Sequence, residues 1–152
     1  MQTDQHHLAD HIRQLLHSQV QCVLATQGEQ HRPVMHLMAY AFAEDLATIY
    51  CVSPSGTRKV NNIQNNPAVS LLWDNRTGNT ADHVQGFSLL AECDTSINAV
   101  ADVAPLAQAL LERNPQLTHL IADPQSLIFS FKVAQYIWVE GYNHTYCWQP
   151  NT

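Results

Sequence analysis

Hydrophobic positions recur with two periods along this chain, and the switches between them divide it into elements. Leu8, Ile12, Leu15 and Leu16 stand at helical spacing and predict an amphipathic helix over 5–18. The period then shortens. An apolar run at 22–26 predicts a strand, the turn residues 27–30 with Gly28 predict a hairpin, and 31–42 predict the return strand. Pro33 lies near the start of that strand, where a proline is tolerated. Residues 47–52 give a third strand after a turn at Glu44 and Asp45. Val60 and Ile63 return to an i, i+3 spacing and predict a helix that Thr57 can cap and Pro67 stops. Another strand follows over 68–73.

Residues 74–82 are polar, contain Gly78 and predict a loop before a fifth strand over 84–93. Ile97, Val100, Val103, Ala104, Ala107, Leu110 and Leu111 predict a long helix that starts at Asp94 or Thr95 and ends before Pro115. Pro105 is expected to kink or divide it. Leu127, Phe129, Phe131 and Val133 alternate with polar neighbours and predict a strand. A further strand is expected over 135–140, a bend at Gly141 and a short edge strand over 144–148. Six or seven antiparallel strands with helices at three points predict a mainly β barrel or closed sheet, not a parallel βαβ design. No repeat or linker interrupts the 152 residues, so a single domain over 1–152 is expected.

Charge narrows the partners. The formal net charge is −6, which argues against nucleic acid or an anionic membrane surface. No apolar run has the length of a membrane span, and the amino terminus lacks the basic and apolar segments of a signal peptide. Only 13% of residues are charged, as expected of a surface partly covered by another subunit. Cys22, Cys51, Cys93 and Cys147 form no C-x-x-C pair. Three of them sit in apolar runs and read as small buried hydrophobes of a reducing, cytoplasmic protein. His7 and His11 stand at i, i+4, but no third ligand follows at a usual spacing, so no metal site is predicted.

The chain has seven Lys and Arg residues in all, and Arg58 and Lys59 are adjacent at the start of the Val60/Ile63 helix. A cation in a first turn opposes the helix dipole at a cost of about 0.3–1 kcal/mol. Two together at that end imply an anion. Hydroxyls of Ser53, Ser55 and Thr57, free backbone N–H groups and the two cations would form a phosphate cradle.

The segments His31-Arg-Pro-Val-Met-His-Leu37, Ile49-Tyr-Cys-Val-Ser53, Thr57-Arg58-Lys59 and Asn65-Asn-Pro-Ala-Val-Ser-Leu-Leu72 occur in an order that resembles a known family. It is the FMN-binding split-barrel, or pyridoxamine 5′-phosphate oxidase-like, group. The resemblance implies a split β-barrel that binds FMN in a groove between the two subunits of a homodimer. Thr57, Arg58 and Lys59 would hold the FMN phosphate, with Ser53 in support. Arg32, Val34, Met35, His36 and Leu37 would lie along the ribityl chain and ring system, largely through backbone groups. The partner chain would add residues near Val84 and Gln85, with Trp138 or Tyr142. The implied activity is reduction of a small molecule with electrons from NAD(P)H. No general acid or base stands out, although His36 and Tyr50 lie on strands expected near the ligand. Four alternatives remain in the same barrel: a flavin-binding redox sensor without turnover, a deazaflavin F420 protein, a haem protein, and a non-catalytic interaction barrel without a cofactor. True pyridoxamine phosphate oxidases continue with an Arg-x-His element, whereas no arginine follows Arg113 here. Pyridoxine-phosphate oxidation is therefore not expected of what looks like a short member.

Overall fold

The computed structural model describes residues 5–151. The extreme amino terminus, part of the stretch read for a signal pattern, lies outside them. The elements in chain order are α1 (Gln5–Ser18), β1 (Gln21–Gln27), β2 (Pro33–Ala39), β3 (Ala41–Phe42), β4 (Thr48–Ser53), α2 (Arg58–Asn65), β5 (Ala68–Asp74), α3 (Asp82–Gln85), β6 (Phe87–Ala99), α4 (Ala104–Arg113), α5 (Thr118–Ala122), β7 (Leu127–Glu140) and β8 (His144–Trp148).

Seven strands form one antiparallel path, β2-β1-β5-β6-β7-β4-β3, and β8 adds to β7. The two ends of that path, β2 and β3, are consecutive in sequence and separated by Tyr40 alone. A flat sheet cannot place its two edges one residue apart, so the sheet curls on itself. This is the split-barrel fold. The expected return strand over 31–42 is thus two strands. Its start is also delayed: Glu29–His31 form a short 3₁₀ turn in which Gln30 (φ 56°) and His31 (φ 59°) are both left-handed.

β7 supplies the curvature on the other side. It pairs with β6 along its length, while its second edge serves β4 over 127–132 and β8 over 136–140. The register steps from Cys93↔Val133 to Glu92↔Gln135 and leaves Ala134 unpaired. That bulge resets the alternation, so that Phe129, Phe131 and Val133 before it and Tyr136 and Trp138 after it are all buried. The sequence pattern breaks at the same place, which is why one strand reads as two.

Two further expectations are corrected. Residues 94–99 continue β6 instead of starting a helix, because 127–132 of β7 give them a complete ladder. Val100–Val103 form a 3₁₀ turn, and α4 begins at Ala104 with Pro105 in its first turn, where a missing N–H costs nothing. The fifth strand starts at Phe87 and not at Val84, which falls in α3 with Gln85.

The core lies inside the curl, where Trp73, Tyr40, Tyr136, Phe129 and Phe131 are fully buried. α1 closes it with Leu8, Ile12, Leu15 and Leu16. A smaller cluster joins α4 and α5 to β4 and β7 through Leu110, Val52 and Ile128. No helix among the described residues is long and apolar enough to cross a membrane.

Candidate functional site

The end of the sheet where β1 turns into β2 meets the start of α2. The turn is tight: the Gly28 N–H donates to the Arg32 carbonyl at 2.7 Å. A Cβ on Gly28 would fall 2.7 Å from Val34 Cγ2 and 3.6 Å from Arg58 Nη2. Glycine therefore lets the turn close onto β2 while the Arg58 guanidinium reaches over it.

α2 is tied to this end by side chains. Asn62 Nδ2 donates to Thr26 Oγ1 at 3.0 Å in a buried contact. Asn66 Nδ2 donates to Gln27 Oε1, and Gln27 Nε2 meets His31 Nδ1. Ser53, buried at the end of β4, donates to the Pro54 carbonyl at 2.9 Å and lies 3.0 Å from the Thr57 hydroxyl. Thr57 has extended backbone at the N-cap position, but its hydroxyl makes no capping bond. The first-turn N–H groups of α2 thus receive no side-chain acceptor from the cap.

Two cations share that uncapped turn, and it contains no acidic residue. Arg58 is exposed and Lys59 half-buried. Among the described residues, the ion pairs belong to Arg13, His17 and Arg76; neither Arg58 nor Lys59 has a carboxylate partner. Burial lowers the Lys59 ammonium pKa below its ordinary value, with Cys51 acting the other way. His36, opposite Leu24 in the β1–β2 ladder, turns to the same place. Its Nε2 is buried without a hydrogen-bond partner. Burial first, then the charges of Lys59 and Arg58, hold its pKa below the ordinary histidine value.

The predicted site residues separate into three groups. Ser53, Thr57, Arg58, Lys59, Val34 and His36 converge, joined by Gly28. Met35 and Leu37 point to the outer face of the sheet, 72% and 68% exposed, and Arg32 is also exposed. Gln85 and Trp138 lie at the opposite end of the sheet: β5 runs from Ala68, at the Gln27 end, to Asp74, which pairs with Ser88. Gln85 sits exposed on α3, away from the strand position expected of it. Trp138 is buried under α1, stacked on Phe87 at 4.6 Å and facing His11 at 6.0 Å. A cavity of about 440 Å³ lies there, and two of its polar groups are engaged within the chain: Trp138 Nε1 donates to Glu140 at 2.8 Å, and Asn75 Oδ1 accepts from the Phe87 N–H at 2.8 Å. A shallower groove of about 520 Å³ opens at the Gly28 end, lined in part by Ala25, Gln27, His31, Pro33 and Ser70.

The Asn62–Thr26 and Asn66–Gln27 links had no sequence signal, because isolated polar residues 36 or more positions apart carry no motif. Gly28 was legible as a turn glycine but not as the seat of Arg58. Among the described residues no group of three His, Cys, Asp or Glu side chains could hold a metal ion. All four cysteines are free thiols, with Cys22, Cys51 and Cys93 buried.

The sequence pattern of the pyridoxamine 5′-phosphate oxidase family matches residues 8–135, which spans the sheet as far as the first half of β7, the turn at Gly28 and the α2 cradle. The chain belongs to this family. No curated protein sequence matches it. Among solved structures, a protein from Clostridium acetobutylicum related to general stress protein 26, of the pyridoxinephosphate oxidase family, superposes with a TM-score of 0.73 at 15% identity, covering 96% of each chain. General stress protein 26 from Bacillus anthracis gives 0.70 at 20% identity over 88% of this chain and 94% of its own. A haem binding protein from Mycobacterium smegmatis gives 0.82 at 13% identity over 99% of this chain and 60% of its own length. At these identities the likeness is one of fold.

Proposed function

We propose that the chain is an FMN-binding flavoprotein that acts as an oxidoreductase on a small molecule, as a homodimer with the flavin between subunits. The observation that carries this reading is the pair Arg58 and Lys59, without carboxylate partners, at an uncapped helix start that also gathers Ser53, Thr57 and an unpartnered His36 nitrogen. These residues fit a phosphate monoester. The Arg58 guanidinium offers a planar fork, Lys59 a point charge, and the first-turn N–H groups of α2 complete the cradle. FMN, when bound, supplies the two-electron chemistry that no side chain of this site provides. The protein's part is to anchor the phosphate, offer the β2 backbone as an edge of donors and acceptors, and exclude water.

A second copy is supported by the outer face of the sheet. Leu37 stands next to Val23, Leu72, Leu90 and Ile137 in successive registers, giving an apolar stripe across five strands with Met35 beside it. An exposed stripe of this kind is best covered by the same surface of another subunit. A partner is also the route by which the exposed Gln85 and Tyr142 could approach the phosphate end.

One observation favours a haem reading: the likeness to the Mycobacterium smegmatis haem binding protein. The visible spectrum of freshly purified protein, with the mass of anything released on denaturation, separates the two. Flavin bands and released FMN are expected; a Soret band overturns the flavin reading in favour of haem, and a deazaflavin mass in favour of F420. Protein purified colourless is titrated with FMN and riboflavin. FMN should bind at least about tenfold more tightly, since it alone carries the charges that Arg58 and Lys59 meet. Equal binding, or none, overturns the phosphate cradle. Bleaching of the flavin by NAD(P)H tests the oxidoreductase; colour that persists leaves a flavin-binding module.

A further inference from the structure

His36 combines three properties that a packing residue does not need. Its Nε2 is buried with no partner, which leaves a desolvated polar atom unsatisfied. The charges that act on it, Lys59 and Arg58, are both positive and both on α2. From β1 it is opposed by the buried, apolar Leu24, which offers it no charge. The imidazole is thus neutral in the ligand-free protein and faces the place where an anion is drawn.

A phosphate arriving between Arg58 and Lys59 reverses that balance. It brings two negative charges and acceptor oxygens to a nitrogen that lacks a partner. We propose that His36 is a proton-linked positioning residue of the phosphate site: its imidazole takes a proton from solvent as a phosphate monoester binds, and the imidazolium holds the phosphate with Arg58 and Lys59. This rests on the FMN reading above and adds regulation to it: cofactor retention weakens as pH rises. The sign follows from linkage. A group that gains a proton on binding makes affinity fall with rising pH, between its free and its bound pKa. The phosphate's own second ionisation, near about pH 6, acts in the opposite direction and cannot imitate the effect.

The test is the dissociation constant of FMN, and of riboflavin, from pH 6.5 to 8.5. Wild-type affinity for FMN should weaken about five- to tenfold across that range, while riboflavin affinity stays level. His36→Gln should give a flat FMN profile, and Lys59→Arg should keep the slope, which separates His36 from the other group that titrates here. NMR of wild-type protein needs no variant: the His36 imidazole should titrate below 6.5 without ligand and clearly above it with FMN. A flat wild-type profile, a slope that survives in His36→Gln, or an imidazole unmoved by FMN overturns the proposal while FMN still binds in preference to riboflavin. Loss of that preference overturns the phosphate reading itself, and His36's part falls with it.

Discussion

The guanidinium of Arg113 lies 4.8 Å over the ring of Tyr40, and both residues donate to the same two carbonyls, those of Leu16 and Gln19. Those carbonyls close the C-terminal turn of α1, where unpaired acceptors and the negative end of the helix dipole need donors. Arg113 is the last residue of α4 and also sits 5.3 Å over Phe42, so one side chain locks two helices to the strand crossing. Arg113→Ala should cost about 2–3 kcal/mol in urea unfolding, because it strips charged hydrogen bonds from part-buried acceptors. Arg113→Lys should recover only part, since an ammonium can donate to the carbonyls but lacks the planar guanidinium that lies over both rings. FMN affinity should not change in either variant. A loss below about 0.5 kcal/mol for the alanine variant would show that water replaces the cap.

Arg58→Ala with Lys59→Ala should abolish FMN retention without unfolding the protein. Both cations stand at the wrong end of α2, and neither has an ion pair among the described residues. Their removal relieves about 0.3–1 kcal/mol each in the ligand-free state. The expected pattern is a colourless double variant whose ligand-free unfolding midpoint equals or exceeds that of wild type. Full FMN occupancy in that variant would falsify the cradle.

What the sequence made legible follows from range. α1, α2 and most strands could be read from periodicity, because the spacing of apolar positions is set by the element's own geometry, whatever later covers it. The basic pair at α2 was legible because helix-dipole physics is local. The misread stretches depend on distant partners. Residues 94–99 carry helical spacing but become strand because 127–132 of β7, far along the chain, pair with them. The break at Tyr40 exists because 41–42 find β4 while 33–39 find β1. The orphaned His36 nitrogen, too, depends on what α2 places around it. Trp138 and Gln85 were assigned by resemblance alone, and the fold puts both at the far end of the sheet from Arg58 within the one chain.

Gly28 and Gly56 bracket the site and should respond oppositely to alanine. At Gly28 the new methyl would lie 2.7 Å from Val34 Cγ2, closer than a real Cβ comes, and 3.2 Å from the Arg32 carbonyl oxygen, a tight contact. The turn must shift, costing about 1–3 kcal/mol and moving the Arg58 guanidinium. At Gly56 nothing lies within 4 Å and φ is not in the left-handed region. Alanine there should be neutral or stabilise by about 0.4–1 kcal/mol by restricting the unfolded chain. Thermal unfolding of the two variants, with FMN affinity measured on each, checks both halves. Equal stability of the two would show that the β1–β2 turn opens at little cost.

Stability should also fall on the alkaline side, and the cause lies in the core. Burial first, then Asp94, Cys22 and Glu92, pushes the Cys93 thiol from its ordinary 9.0 up to about 12. Burial moves Tyr40 from 10.0 to about 12, with Arg113 partly offsetting it, and raises Cys51 and Tyr136 as well. In the unfolded chain these groups lose protons from about pH 9 upward, while the folded protein holds them. The unfolded state then binds fewer protons, so unfolding becomes easier as pH rises. The contribution is complete below pH 9 and disappears progressively towards pH 12. The urea midpoint should therefore be level from pH 7 to 8 and decline from pH 9 to 10.5. Cys93→Val removes one titrating group and should make that decline shallower, whatever it does to stability at pH 7. Parallel curves for the variant and wild type would assign the alkaline loss to the tyrosines and Cys51 instead.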